Sequence, residues 1–178
     1  MRNGKVCWPV WVPRTHRLIR EADRRSRLSI PFDERSPRGV VSCANDLARH
    51  LWGRDLSFDQ AASHRSAIRV RGRRLPFNAF CFQPNAAGVD MFRCWHSWHG
   101  NVNYVFPPKP LIGRLVAFLP TTRAKVVLAL RKPISHAWWS YAIQPQAEGL
   151  VAQRDVLGFT LFAFDFSGRP SGPHDHVG

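Results

Sequence analysis

The feature that most constrains the fold is the stretch NYVFPPKPLIGRLVAFLP, from Asn103 to Pro120. An apolar run that predicts a strand leads into Pro107-Pro108, and a run with the apolar spacing of a helix follows from Leu111 to Leu119. Proline fixes φ and has no backbone N–H, so the pair ends the strand and forms a rigid corner. A strand that turns directly into a helix is typical of α/β domains.

Strands and helices alternate on both sides of this stretch. LSFDQAAS predicts a strand that ends at Asp59, and further strands are predicted from Ala124 to Pro133 and from Leu157 to Gly168. CANDLARHLW and SHAWWSYAI predict helices. We therefore expect an α/β domain over residues 47–167, with a small, mostly parallel, Rossmann-like sheet and flanking helices.

The two ends of the chain differ from this domain. Residues 1–30 predict an irregular basic extension, with a short strand from Val6 to Val12 and a helix from about Thr15. Residues 31–46 are rich in proline, serine and charge, which predicts a linker. Residues 168–178 predict a polar, disordered tail.

The charge of the chain predicts the class of its partner. It has 26 Lys+Arg against 12 Asp+Glu, a formal net charge of +14. Most of the cations are arginines, whose planar guanidinium binds phosphate through two hydrogen bonds. This excess favours a polyanion, nucleic acid before membrane. The alternative is a basic surface that only keeps the protein in solution.

The cations are densest in the stretch from His64 to Phe80, which predicts a phosphate-binding patch. Phe77, Phe80 and Phe82 are close by in sequence and are candidates for stacking on bases. The alternative places the arginines on a solvated face and the phenylalanines in the core. The predicted nucleic-acid-binding residues are Arg65, Arg69, Arg71, Arg73, Arg74 and Lys109.

The cysteines and histidines predict neither a disulfide framework nor a metal site. The four cysteines are far apart and form no CxxC pair, which is typical of buried thiols in a reducing compartment. His96 and His99 have helical spacing, but no third ligand is evident. The sequence has no signal-peptide pattern and no run long enough to span a membrane. We expect an intracellular protein, nuclear or cytoplasmic, that is not secreted.

The N-terminal extension resembles part of a known enzyme domain. WVPRTHRLIREADRRSRL, from Trp11 to Leu28, is similar to the closing strand and helix of the ribonuclease H domain in retroelement polyproteins, which reads W-[IV]-P-R and then A-D-x-x-S-R. The resemblance implies that Asp23 stands where the family has a metal-binding carboxylate. A metal site needs several converging carboxylates, and the strands that supply the others are absent. We therefore expect Asp23 to be a surface residue without a metal.

A longer resemblance covers Ser57 to Tyr141. The order of its elements is similar to the segment that follows ribonuclease H in DIRS-like retroelement polyproteins, which is itself similar to phage Dam-type adenine-N6 DNA methyltransferases. The shared order is D-x-x-A-S after a strand, an Asn/Phe-rich stretch, D-x-F-x-x-W, P-P, a helix, an apolar strand and a P…W-W closure. The matching residues are Asp59, Ala62 and Ser63; Phe77 to Phe82; Asp90, Phe92 and Trp95; Pro107 and Pro108; Val126 to Leu130; and Pro133, Trp138 and Trp139. The resemblance implies a methyltransferase-like sheet.

The corner at Pro107-Pro108 departs from that family at the positions where the chemistry takes place. The resemblance implies an Asn or Asp before the prolines, which holds the adenine amine, and an aromatic residue after them, which stacks on the flipped base. Here Phe106 takes the acceptor position and Lys109 the stacking position. Phe106 cannot accept a hydrogen bond from an amine that becomes positive in the transition state. No glycine-rich cofactor loop follows any predicted strand, so we expect no methyl transfer and no cofactor.

These observations favour a non-catalytic nucleic-acid-binding fragment, derived from the C-terminal part of a DIRS-like retroelement reverse transcriptase polyprotein. Three alternatives stay open. The first is an S-adenosylmethionine-dependent adenine-N6 DNA methyltransferase that tolerates Phe106. The second is a basic structural subunit of a ribonucleoprotein particle, and the third is a decayed reading frame without a selected function.

Overall fold

The computed structural model describes residues 35–80, 82–134 and 149–168. The chain divides into two units, Met1–Glu34 and Arg35–Gly178, and the second unit contains all of these residues. The expectations for residues 1–30, with Asp23, lie outside the described residues. So do those for the SHAWWSYAI helix, for Trp138 and Trp139, and for the tail beyond residue 168.

The described residues form three α-helices and nine strands. The helices are α1 (Arg38–Trp52), α2 (Trp95–Trp98) and α3 (Ile112–Phe118). The strands are β1 (Phe58–Asp59), β2 (Arg69–Val70), β3 (Arg73–Arg74), β4 (Asn78–Ala79), β5 (Gly88–Val89), β6 (Val102–Val105), β7 (Lys125–Arg131), β8 (Leu150–Val156) and β9 (Phe159–Asp165). Short 3-10 turns flank α3 at Lys109–Leu111 and Leu119–Thr121.

A five-stranded sheet has the order β1-β6-β7-β9-β8. β1, β6 and β7 are parallel neighbours. β9 runs antiparallel to both β7 and β8, so β8 has the same direction as β7. Two short pairs, β2 with β3 and β4 with β5, lie outside this sheet. The unit is therefore a mixed α/β fold with a partly parallel sheet, which confirms that part of the expectation.

Helices cover both faces of the sheet. Successive side chains of a strand point to opposite faces, and Val127 accordingly packs with α1 while its neighbours Val126 and Leu128 pack with α3. Because β7 and β9 are buried on both faces, their sequences read as nearly continuous apolar runs. That is why the sequence predicted these two strands.

The elements predicted around Pro107-Pro108 and at the C-terminal end are present as α3 and β9. β8 was not predicted, because it lies at the edge of the sheet and most of its residues are exposed or half-buried. Its apolar pattern is accordingly weak. Among the described helices, none is long and apolar enough to cross a membrane.

Helix α1 corrects the predicted linker. It begins at Arg38, and Val40, Ala44 and Leu47 recur at helical spacing and are buried against the sheet. Packing of an apolar face supplies most of the stability of a helix in a protein, and this contribution outweighs the proline and serine that suggested a linker. Residues 38–46 therefore belong to the domain, which starts before the predicted boundary at Leu47.

The buried face of α1 can be tested with a matched pair of substitutions. Val40 is fully buried and Ser42 is exposed on the same helix. We expect Val40→Ala to lower the free energy of unfolding by about 2 kcal/mol, because it leaves a cavity. Ser42→Ala should change it by less than about 0.5 kcal/mol. Urea unfolding measures both, and equal small effects would support the linker instead.

Candidate nucleic-acid interface

A groove of about 870 Å³ lies between α1 and the segment from Arg65 to Arg74. Apolar side chains, among them Val41, Ile68 and Val70, contribute to its lining. The arginines that line it are Arg35, Arg38, Arg49, Arg65, Arg69, Arg71 and Arg74. We refer to this groove as the arginine groove. Its described lining contains one acidic residue, Asp46.

Helix α1 forms one wall with its polar face. Arg38, Ser42, Asp46 and Arg49 follow one another at three- or four-residue spacing, so they share one face of the helix. Val40, Ala44 and Leu47 lie on the opposite face, against the sheet. From Arg38 to Arg49 this wall extends about 16 Å along the helix axis.

The hairpin of β2 and β3 contributes to the second wall. Its turn is Arg71-Gly72, and both residues have positive φ, 48° and 80°. A two-residue turn with this geometry matches the twist of an antiparallel hairpin. Arg69 lies directly opposite Arg74 in the register. Like charges in this position destabilise a strand pair, and a bound anion would remove that cost.

Asp55 connects the two walls through ion pairs. Its carboxylate lies 3.7 Å from Nε of Arg49 on α1 and 3.2 Å from Nε of Arg71 at the hairpin turn. It also accepts a hydrogen bond of 2.9 Å from Nδ2 of Asn45. Exposed ion pairs contribute little to stability. The cluster therefore serves mainly to position arginines, since it holds Arg49 and Arg71, which belong to opposite walls, beside each other.

The residues before α1 bring two further arginines together. The Arg35 guanidinium donates hydrogen bonds to the backbone carbonyl of Arg65. The hydroxyl groups of Ser36 and Tyr104 share a buried hydrogen bond of 2.7 Å. Burial raises the pKa of Tyr104, so the phenol stays neutral. These contacts fasten the start of α1 to β6 and to the arginine-bearing loop.

Asp59, which the sequence placed at the end of a strand, is the last residue of β1 and is buried. The backbone N–H of Ile68 donates to its Oδ2 at 3.1 Å, and that of Ala61 donates to its Oδ1 at 3.4 Å. Burial raises the pKa of Asp59 to about 7, and the two hydrogen bonds oppose this rise. The carboxylate therefore holds the loop between β1 and β2, which carries Arg65.

The corner at Pro107-Pro108 follows β6, the parallel neighbour of β1. The ring of Phe106 packs edge-on against Phe159, with centroids 5.5 Å apart. The Arg131 guanidinium lies 5.4 Å from the centroid of the same Phe159 ring. Lys109 is exposed and begins the 3-10 turn. The side chain that directly precedes the two prolines, Phe106, is therefore engaged in apolar packing.

A buried polar network was not predicted from the sequence. Gln60 donates from Nε2 to Oδ1 of Asn103 at 2.7 Å. Asn78 donates from Nδ2 to Oε1 of Gln60 at 2.7 Å and to Oγ of Ser97 at 2.8 Å. Among the described residues, Oδ1 of Asn78 is the buried side-chain atom without a partner, and a Cβ on Gly88 would lie 2.7 Å from it. The network joins Gln60, the residue after β1, to β4, β6 and α2.

The structure brings together most of the predicted binding residues. Arg65, Arg69, Arg71 and Arg74 line the arginine groove, whereas Arg73 and Lys109 are exposed but are not among its lining residues. Phe77 is 1% exposed, which excludes it from stacking on a base. The sequence analysis missed Arg35, Arg38 and Arg49. The spacing of the polar residues on α1 was the signal that could have identified the last two.

The described residues offer no cluster that could hold a metal ion. None of their His, Cys, Asp and Glu side chains form a group of three or more suited to one. His96 and His99, the pair at helical spacing, are both exposed.

The raised pKa of Asp59 predicts a pH dependence of stability. Between its unfolded value of 3.8 and its folded value of about 7, the folded protein keeps a proton that the unfolded chain has lost. Its contribution to the free energy of unfolding should therefore fall with rising pH by about 1.4 kcal/mol per pH unit in this window, and level off above it.

Asp59→Asn should lose this slope, because it cannot titrate. Urea unfolding at pH 5, 6, 7 and 8 compares the two proteins. Asp155→Asn is the matched control, since the pKa of Asp155 is lowered, mainly by hydrogen bonds from Lys132 and Thr160. It should keep the wild-type slope in this range. Identical pH dependence of wild type and Asp59→Asn would contradict the account of Asp59.

Comparison with known proteins gives no match, whether against family models, curated proteins or solved structures. Two features of the described residues bear on function: the arginine groove, and the corner at Pro107-Pro108 with Phe106 packed on Phe159. We infer the function from these.

Proposed function

We propose that this protein binds nucleic acid without catalysing a reaction on it, and that the arginine groove is its phosphate-binding surface. The observation that carries the proposal is the convergence of seven arginines from two separate segments on one groove. Placing groups of equal charge close together costs electrostatic free energy. An anionic ligand offsets that cost, and arginine is the residue best suited to phosphate.

The length of the groove favours a polymer over a small anion. Its α1 wall has arginines at both ends, Arg38 and Arg49, about 16 Å apart along the helix axis. One phosphate cannot reach both ends, whereas a nucleic-acid backbone presents phosphates at regular intervals. The formal net charge of +14 adds a long-range attraction for such a polymer.

The packing of Phe106 supports a protein without methyltransferase activity. At this position the family that the sequence resembles uses an oxygen acceptor, and Phe106 contributes only a ring that contacts Phe159. A base amine at the corner would have no side-chain acceptor there. The proposal therefore includes no cofactor.

The strand arrangement supports the proposed origin in a retroelement polyprotein with a methyltransferase-like, Rossmann-like domain. Asp59 and Pro107-Pro108 follow two neighbouring parallel strands at their carboxyl ends, the edge at which open α/β sheets bind ligands. A single antiparallel strand, β9, lies between two strands of the other direction.

A salt titration of wild-type protein with fluorescently labelled single-stranded and double-stranded DNA and RNA tests the proposal. Affinity should fall steeply as salt rises, because each phosphate contact releases counterions. Affinity that is absent at low salt, or that does not change from low to high salt, would contradict the proposal.

One substitution from each wall locates the binding surface. Arg38→Ala and Arg69→Ala should each weaken binding at low salt by about tenfold and reduce the slope of log K against log salt by roughly one. Arg93→Ala is the matched control, since Arg93 is 83% exposed and is not among the groove's lining residues. It should leave the slope unchanged. An equal loss in all three variants would place the binding surface elsewhere.

A further inference from the structure

The arginine groove contains one carboxylate that its arginines do not neutralise. Asp46 lies on the α1 wall between Arg38 and Arg49 and is exposed. Within the described part of the chain its side chain takes part in no hydrogen bond and no ion pair. The ion pairs of the groove belong instead to Asp55, which lies within reach of Arg49 and Arg71.

Asp46 differs from its neighbour Asn45 because its side chain is available to contact a ligand. The Asn45 side chain is occupied, because its Nδ2 donates to Asp55 and its Oδ1 accepts from the backbone N–H of Leu56. A carboxylate accepts hydrogen bonds and donates none. A ligand phosphate beside it would be repelled. The part of the ligand that lies against Asp46 must therefore be a hydrogen-bond donor.

In nucleic acids such donors are on the bases and, in RNA, at the ribose 2′-hydroxyl, and only the bases differ between two strands of the same backbone. Cytosine carries an exocyclic amine, and acidic side chains accept hydrogen bonds from it. At the position of this amine uracil has a carbonyl oxygen, and its one donor on this edge, N3–H, lies between two carbonyl oxygens that repel a carboxylate. The Watson–Crick edge of a base is free for such contact only when the base is unpaired. The groove of about 870 Å³ is within the size range of small-ligand pockets, and both points favour a single strand.

We propose that Asp46 selects the base: the arginines hold the phosphates of a single strand, and Asp46 accepts a hydrogen bond from the exocyclic amine of a base, so that the groove prefers cytosine to uracil. This inference rests on the proposed function of the same groove. None of the described lining residues is aromatic, and stacking of the arginine guanidinium groups is available to cytosine and uracil alike.

The test compares labelled oligocytidine and oligouridine of the same length, by fluorescence anisotropy at pH 7.5 and low salt. Both ligands carry the same phosphates, so they differ only at the base edge. Wild type should bind oligocytidine about tenfold more tightly. Asp46→Ala should reduce this ratio to about one, by weakening the binding of oligocytidine relative to oligouridine. Because Asp46 is exposed and alanine favours helix, the variant should fold.

Asp155→Ala is the matched control. It removes one exposed carboxylate that is not among the lining residues of the groove, so it changes the net charge equally. It should keep the wild-type ratio. A deoxycytidine and deoxyuridine pair repeats the comparison without the 2′-hydroxyl and without the thymine methyl group.

The outcomes separate the two proposals. If neither oligonucleotide binds to wild type, the proposed function fails and the base preference fails with it. If both bind with equal affinity, only the base preference is overturned. If Asp46→Ala tightens the binding of both by the same factor, Asp46 acts only by repulsion of phosphate, and that result also overturns the base preference.

Discussion

The hydrogen bond from the Ile68 N–H to the buried carboxylate of Asp59 connects the sheet to the arginine-bearing segment. Asp59 ends β1, and Ile68 immediately precedes β2, so one buried acceptor determines where the hairpin of β2 and β3 begins. The hydrogen bond between Ser36 and Tyr104 has the same effect at the start of α1. Both walls of the arginine groove are thereby fastened to β1 and β6, two parallel neighbours.

The attachment of both walls to β1 and β6 holds several arginines close together. Arg69 and Arg74 face each other across the hairpin, and Asp55 compensates only part of the charge of the two walls. Repulsion among exposed arginines is weakened by water and salt, so the fold tolerates it. In a groove that a ligand closes, water is displaced and the same charges interact more strongly with phosphate.

The corner at Pro107-Pro108 combines a requirement of the chain path with a requirement of side-chain packing. The prolines still end β6 and lead into the turn before α3, which is a requirement of the chain path. The side chain before them is under a different constraint, because it packs against Phe159 on β9. An oxygen acceptor at this position would lose that apolar contact. Phe106 therefore satisfies the packing of the corner against β9.

The sequence by itself determined the elements whose signals are local. The prolines after an apolar run predicted the strand-to-helix corner, the continuous apolar runs predicted β7 and β9, and the dense arginines predicted a cationic segment from Arg65 to Arg74. Each of these signals depends on residues that are close in the chain. The edge strand β8 has no such signal, because few of its side chains are buried.

Only the tertiary structure decided which distant residues share a surface. It turned part of the predicted linker into α1, and with it added Arg35, Arg38 and Arg49 to the predicted arginines. It also buried Phe77 and placed Asp46 inside the arginine groove. The physical reason is that the spacing of apolar residues shows which face of a helix or strand is buried. It does not show which other helix or strand packs against that face. The burial of Asp59 and Tyr104 between those elements sets that neighbourhood, and with it the site.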